Sequence, residues 1–373
     1  MNKPLKICLY AICKNEIKFV DKWWDYAKEA DYVIVLDTGS DDGTPERLEE
    51  LGATVYRKTY PKPFRFDVAR NDSVDLAYET DADIFMTTDF DEILNHGWAD
   101  ILRAEWNPEI HQRADYDDYF GDAVLPGSLN WIHARGWRWM FPCHEVMIRD
   151  GSKWYLHSEE LQLGGKVILH HYQDPTKSRS QYLPLLKLRL EENPDDVDSW
   201  SYLMRELMYE GAWDELLSYE EGVRAKNFPP GVEMAWVYIW LASAYENKGM
   251  NLKAQHCLWE SVQSSPIFRT AWVSLARLIS YEGRNELAEA ILMQCLKESQ
   301  YTIRSVFIDA NDVWTWRLYD WLGVVCWNQG KFDKALYWET RALLEDPGNE
   351  GVIHNYNDCV QKLREREDYG ILR

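Results

Sequence analysis

Ile84-Phe85-Met86-Thr87-Thr88-Asp89-Phe90-Asp91-Glu92 is an apolar run that closes on two carboxylates one residue apart. A buried strand that ends this way can hand a divalent cation to a nucleotide diphosphate. Carboxylate oxygens are hard ligands for Mg²⁺ or Mn²⁺, and such an ion keeps water and substrate phosphates as its other ligands. Taken alone, two acids at a strand end read as readily as a solvated turn. A second stretch adds weight. Tyr32-Val33-Ile34-Val35-Leu36 runs into Asp37-Thr38-Gly39-Ser40-Asp41-Asp42-Gly43-Thr44, a polar, glycine-punctuated loop that opens a helix. Two acidic strand-end loops within one α/β stretch have the look of a sugar-nucleotide site.

Outward from these loops, the first 175 residues alternate short apolar runs with helical stretches. Strands are expected at 5–12, 32–36, 53–57 and 84–88, with helices at 17–29, 43–51 and 67–79 between them. This β-α-β-α-β-α-β order implies a Rossmann-like, mostly parallel sheet with right-handed crossovers. In such sheets ligands bind beyond the carboxyl ends of the strands, where Asn15, Glu16, Asp37 and Asp89 all fall. Between 95 and 130 the pattern dissolves into a polar insertion that carries the acidic run 115–122, expected to form a wall of the acceptor side. The pair His170-His171 ends an apolar strand just before a basic loop. Strand alternation lets only one of two neighbours point inward, and His170 is the expected one.

From about residue 195 the period changes to helix pairs. Gly211, Gly249, Gly283 and Gly330 are each followed five residues later by Leu216, Ala254, Ala288 and Ala335, and further on by Phe228, Pro266, Gln300 and Pro347. The second and third glycines stand 34 residues apart, the tetratricopeptide period. Glycine takes the left-handed cap of a helix–helix turn without steric cost, and small residues at the alanine positions let paired helices approach. The wider spacing to Gly330 implies an insertion around 301–313. Two domains are therefore expected, 1–180 and 181–373, and this length accommodates both.

A net charge of −21, spread over both halves, disfavours phosphate backbones and argues against nucleic acid as a partner. The seven cysteines are scattered without a CxxC spacing, which points to reduced thiols rather than a disulfide frame or zinc site. No apolar run approaches the ~20 residues that span a bilayer, and the first residues lack the layout of a signal peptide. A cytoplasmic location is the expectation. Most of the 19 tryptophans are expected in helix packing, with some free to stack on sugar faces.

Several segments carry a resemblance to a known family. They are Ile12-Cys13-Lys14-Asn15-Glu16, the loop 35–44, Phe66-Asp67-Val68-Ala69-Arg70-Asn71 and Asp89-Phe90-Asp91-Glu92. After these come Trp139-Met140-Phe141-Pro142-Cys143-His144-Glu145 and His170-His171-Tyr172-Gln173-Asp174, the last leading into Lys177-Ser178-Arg179-Ser180-Gln181. In this order they resemble the inverting, GT-A-fold glycosyltransferases of family 2 that carry C-terminal tetratricopeptide repeats. Arg205-Glu206-Leu207-Met208-Tyr209 extends the likeness into the first repeat.

The resemblance implies an α/β GT-A domain followed by an all-α repeat domain. It implies a metal-dependent, inverting transfer of a sugar from a nucleotide-diphosphate donor, with Mn²⁺ or Mg²⁺ as cofactor and a UDP-sugar as the expected donor. By position, Asn15, Glu16 and Asp37 would line the nucleotide pocket. Asp89 would face ribose and metal, and Asp91 with His170 would hold the metal. Arg70, Lys177 and Arg179 would complete the clamp on the leaving diphosphate. Glu145 would be the base, with His144 either replacing it or orienting it. Against these stand plain structural roles: Glu145 as the buried partner of Arg138 or Arg135, and Arg70 in a surface ion pair with Asp67.

Two residues depart from the family pattern. Phe90 stands where a small residue is usual and would reshape the donor pocket, and Cys143 replaces an aliphatic residue. The acceptor implied is a protein, peptide or glycan, docked on the repeats in the first two cases, although the repeats could equally join two copies of the chain. The alternatives are a repeat scaffold with an inactive sugar-nucleotide domain, and a glycosyltransferase acting on a modified nucleobase. A nucleotidyltransferase would want a glycine-rich loop with an arginine after the first strand, and Cys13-Lys14-Asn15-Glu16 is not one.

Overall fold

A computed structural model describes residues 4–120, 123–125, 131–149, 159–172, 182–299 and 311–371. The chain divides into two compact units, Met1–Glu192 and Asn193–Arg373. The first therefore extends past residue 180 to the end of a helix.

In the first unit, β1 (Ile7–Cys13), α1 (Ile17–Ala27), β2 (Tyr32–Asp37), α2 (Thr44–Leu51), β3 (Thr54–Arg57), α3 (Phe66–Tyr78) and β4 (Ile84–Thr87) follow the expected alternation. Then come β5 (Glu92–Leu94), α4 (Trp98–Glu105), β6 (Arg113–Asp115), β7 (Asp117–Phe120), β8 (Ala123–Leu125) and β9 (Ile132–His133). The unit closes with β10 (Arg138–Met140), β11 (Val146–Ile148), β12 (Glu160–Gln162), β13 (Ile168–His171) and α5 (Tyr182–Glu192). The central sheet has the order β12-β6-β9-β4-β1-β2-β3. β3, β2, β1 and β4 are mutually parallel, whereas β9 runs antiparallel to both β4 and β6.

Alternate residues of β1 face opposite sides, as a strand requires. Ile7, Leu9 and Ala11 pack with Trp23 and Tyr26 of α1 and Trp98 and Leu102 of α4. Cys8 and Tyr10 pack with Val74 and Ala77 of α3 and with Trp137, Trp139 and Met147 of the β10–β11 hairpin. This three-layer sandwich leaves the carboxyl ends of β1, β2 and β4 at one edge.

The segment 95–130 departs from the expected polar insertion. α4 buries Trp98, Ala99 and Leu102, β6 joins the central sheet, and β7 and β8 build a four-stranded sheet of order β5-β13-β7-β8. These strands are three or four residues long, too short for a period-two pattern to stand out. The acidic run therefore holds a strand, and Asp118 within it is buried.

The second unit is a TPR-like array. It comprises α6 (Val197–Tyr209), α7 (Trp213–Ser218), α8 (Glu220–Ala225), α9 (Val232–Asn247), α10 (Asn251–Ser264) and α11 (Arg269–Tyr281). α12 (Asn285–Glu298), α13 (Asn311–Trp314), α14 (Arg317–Asn328), α15 (Phe332–Glu345) and α16 (Glu350–Ile371) follow. α9 packs on α10, α11 on α12 and α14 on α15. Gly211, Gly249, Gly283 and Gly330 have φ of 67°, 70°, 78° and 72°, so each takes the left-handed turn that its spacing implies. Leu216, Ala254, Ala288 and Ala335 are fully buried. Trp200 and Trp272 donate from Nε1 to the carbonyls of Pro194 and Pro266, both at 2.9 Å, a Pro-x5-Trp register. Gln300 and residues 301–310 of the expected insertion lie outside the described residues. All seven cysteines are buried.

Candidate functional site

The loops after β1 and β2 are tied to each other. Asn15, in the left-handed region at φ 58°, receives Asp41 N–H on Oδ1 at 2.9 Å, and its own N–H donates to Ser40 Oγ at 2.8 Å. Glu16 N–H donates to Thr44 Oγ1 at 2.9 Å, and Ile17 N–H to Asp42 Oδ2 at 3.1 Å. Asp42 also accepts from Thr44 N–H at 3.0 Å. These bonds hold its carboxyl below the usual range despite partial burial. Asp37 is 3% exposed. Its oxygens accept from Gly39 N–H, Ser40 N–H and Ser40 Oγ, so it shapes its own loop in an Asx-type turn.

At the end of β4 the two acids diverge in partner. Asp89 Oδ1 accepts from Arg70 Nη2 at 2.8 Å, and Arg70 Nε reaches Glu145 Oε1 at 3.2 Å. One guanidinium thus bridges the strand-end acid and the candidate base. The Arg70 side chain is 7% exposed and lies over the rings of Trp131 and Trp139, at 5.3 and 5.0 Å. Burial works against its charge, but the carboxylates of Asp89 and Glu145 keep it protonated. Its Nη1 is buried without a hydrogen-bond partner among the described residues. Burial raises the Glu145 carboxyl while Arg70 lowers it, and burial prevails.

The plain roles weighed for these residues go elsewhere. Asp67 is paired with Arg65 at 2.8 Å, Arg138 pairs with Asp75, and Arg135 donates to the carbonyls of Tyr78 and Thr80.

Glu145 follows the β10–β11 turn, which the chain holds in place from several sides. Phe141 and His144 have φ of 81° and 49°, a region that side chains other than glycine enter at a cost. Arg189 of α5, fully buried, donates from Nη1 to the carbonyls of Cys143 and His144 at 3.1 and 2.8 Å. Its guanidinium lies 3.8 Å from the centre of the Phe141 ring. Asn71 exchanges two 2.8 Å bonds with the backbone of Trp139. His144 stacks on Tyr182 at 5.7 Å. Cys143 is fully buried, so it packs as a small apolar residue.

Asp91 is 8% exposed. The histidine beside it is His171, with Nε2 at 3.7 Å from Oδ2, not the expected His170, whose ring lies near Tyr119 and Tyr172. The reason is register. His171 pairs with Glu92 across the β5–β13 ladder, and Tyr172 N–H donates to the Asp91 carbonyl at 2.7 Å. The neighbouring Asp91 carboxylate raises the His171 pKa against burial. Phe90 belongs to the core: it is buried and stacks on Trp23 at 4.4 Å. Glu92 was not singled out in the sequence. It accepts Asp89 N–H at 2.7 Å, and burial, then the neighbouring Asp89, pushes its carboxyl far up. Lys177 and Arg179 lie outside the described residues.

The donor set suits a hard cation. Asp91 offers a carboxylate and His171 an imidazole. Among those residues no group of three acids, histidines or cysteines converges on one point. A cation here would draw its other ligands from water and phosphate, as Mg²⁺ and Mn²⁺ commonly do. Among the described residues, no helix is long and apolar enough to cross a membrane.

No family model matches the sequence, and no curated protein matches it. Among solved structures, the chain is similar to a thermophilic TPR protein of Thermus thermophilus, with 20% identity over 48% of this chain and 90% of that one and a TM-score of 0.34. It is similar to YrrB, a TPR protein with an unusual peptide-binding site, with 15% identity over 49% and 85% and a TM-score of 0.39. A third is pilF of Pseudomonas aeruginosa, with 16% identity over 45% and 69% and a TM-score of 0.37. The chain joins a mixed α/β domain to an all-α, TPR-like helical domain.

Proposed function

We propose that the first unit is an inverting, metal-dependent glycosyltransferase domain that takes a sugar from a nucleotide-diphosphate donor. The observation that carries this reading is the buried Arg70, hydrogen-bonded at once to Asp89 and Glu145. A guanidinium there joins the place where leaving-group charge would develop to the place where an acceptor proton would be taken. In a largely dry site such fixed charges stabilise a transition state strongly.

The loops tied through Asn15, Asp37 and Asp42 form the nucleotide wall, and Asp91 with His171 faces the diphosphate. A divalent cation bound there would neutralise the departing diphosphate charge. Glu145 accepts the proton of the acceptor nucleophile as that atom bonds to the anomeric carbon. On the opposite face the bond from that carbon to the diphosphate oxygen breaks, and its electron pair leaves with the nucleoside diphosphate. The raised pKa of Glu145 suits a base, because a very weakly basic carboxylate drives proton transfer poorly.

The repeat unit would dock a protein or peptide acceptor, since stacked helix pairs offer extended binding surfaces. A scaffold without catalysis is the competing reading, favoured by the lack of three converging ligands among the described residues. The deciding experiment is a thermal-shift panel of UDP, GDP and CMP and their sugars with and without Mn²⁺, followed by an assay for nucleotide release. Mn²⁺-dependent stabilisation by one nucleotide, with turnover of its sugar, is the expected result. No stabilisation by any of them would shift the function to the repeats.

A further inference from the structure

The peptide bond between His144 and Glu145 is held by a residue from another element. Arg189 of α5 is fully buried, and its Nη1 donates to the carbonyls of Cys143 and His144 at 3.1 and 2.8 Å. The His144 carbonyl shares one plane with the Glu145 N–H, so this bond fixes the plane from which the Glu145 side chain departs. A buried guanidinium is costly unless it is hydrogen-bonded, and here its bonds go to a turn that carries Phe141 and His144 at φ of 81° and 49°. Such angles persist only where the surroundings impose them. The Phe141 ring, 3.8 Å from the Arg189 guanidinium, is part of that imposition.

α5 also grips the helix that supplies Arg70. Tyr182 stacks on His144 at 5.7 Å and on Phe66 at 6.4 Å, and Glu192 pairs with Arg65. Phe66 opens α3, where its N–H donates to the Pro142 carbonyl at 3.1 Å. Arg70 lies one turn further along the same face of α3. The contact between Arg70 Nε and Glu145 Oε1, at 3.2 Å, joins segments 75 residues apart, and α5 touches both of them.

We propose that Arg189 is a positioning residue for Glu145: by fixing the His144–Glu145 peptide it holds the carboxyl against Arg70, where an acceptor proton would be taken. This rests on reading Glu145 as the base of a glycosyltransferase domain. Arg189 acts through the backbone of the turn, and Glu145 is the group that would meet the acceptor.

The test treats the full chain with a water-soluble carbodiimide and glycine ethyl ester. Peptide mass mapping follows amidation at Glu145 and, as an internal control, at Asp37, which is 3% exposed in the same unit. Arg189→Met is expected to speed amidation at Glu145 about 10–100-fold, the shift that loss of a buried hydrogen-bond partner allows, with Asp37 unchanged. Wild-type reactivity at Glu145, or an equal rise at both sites, overturns the proposal. Turnover gives a second readout, with the nucleotide-sugar that stabilises the wild-type chain. Arg189→Met should lower kcat about 10²-fold through misplacement of the base and leave KM for that donor unchanged. In a Glu145→Gln background the same change should cost nothing further, and additive losses overturn the proposal. A wild-type chain that binds no nucleotide-sugar overturns the glycosyltransferase reading itself, and the amidation rates still decide whether Arg189 holds Glu145. Circular dichroism checks folding. Where Met does not fold, Arg189→Lys, which keeps the charge but loses the planar fork, is expected to move both readouts in the same direction, and wild-type values there count against the proposal.

Discussion

Arg70 is the residue on which the chemistry proposed for the first unit turns, and its environment makes a lysine a poor substitute. The guanidinium uses two different nitrogens for two carboxylates and sits over two indole rings, which a point-charge ammonium cannot reproduce. Arg70→Lys is expected to keep the fold and lower nucleotide release about 10–100-fold or more, measured as UDP production under saturating Mn²⁺. Glu145→Gln should bind Mn²⁺ and UDP normally yet lose about 10²–10⁴-fold in transfer. Unchanged transfer in that variant would place the base elsewhere. At this scale the sequence was informative about residue types more than about partners. The acids at 89 and 91, Arg70 and Glu145 were all legible from their segments. Their pairing was not, because Arg70 and Glu145 are 75 residues apart. The choice of His171 over His170 depended on the β5–β13 register, which a two-residue alternation leaves open.

Among elements, α5 does more than end the unit. Its Arg189 satisfies two carbonyls of a turn that holds Phe141 and His144 at positive φ. Arg189→Met would remove both of these hydrogen bonds from the turn, at about 1–3 kcal/mol, read as a lower urea midpoint for the first unit. Transfer should fall with it, because Glu145 follows the same turn. Within the repeats, Gly323 of α14 lies against the side chain of Glu339 on α15. Gly323→Ala should destabilise the second unit by about 1–3 kcal/mol through overpacking. The helix pairs were legible because each glycine marks a turn by itself. β6 and β7 were not, since they gain their places by pairing with β12, β9 and β13, all distant in sequence, and β8 is a three-residue edge partner of β7.

The two units should answer pH in different ways. Burial, then the nearby Asp320, raises the Glu339 carboxyl from its ordinary 4.5 to about 9. The folded state therefore binds its proton more tightly than the unfolded one. The associated stability is complete below about pH 4.5 and is lost as pH rises toward 9, an effect of the order of a few kcal/mol. In calorimetry, the second unit should melt at lower temperature as pH goes from 6 to 9, and Glu339→Gln should flatten that slope. His133 of the first unit behaves oppositely. Burial lowers it from 6.5 to about 3, with Nδ1 against the Ala134 carbonyl at 2.7 Å and Nε2 against Tyr10 Oη at 2.8 Å. Its share of stability is complete above pH 6.5 and declines as pH falls toward 3, so His133→Gln should lessen the acid sensitivity of that unit.

The burial of every cysteine makes the native chain its own clock for these openings. Cys8, Cys13 and Cys143 report on one unit, and Cys257, Cys295, Cys326 and Cys359 on the other. A maleimide added to the intact protein can react only as fast as each unit exposes its sulfurs. Peptide mass mapping of the adducts over time would then give two separate opening rates from a single unmodified molecule.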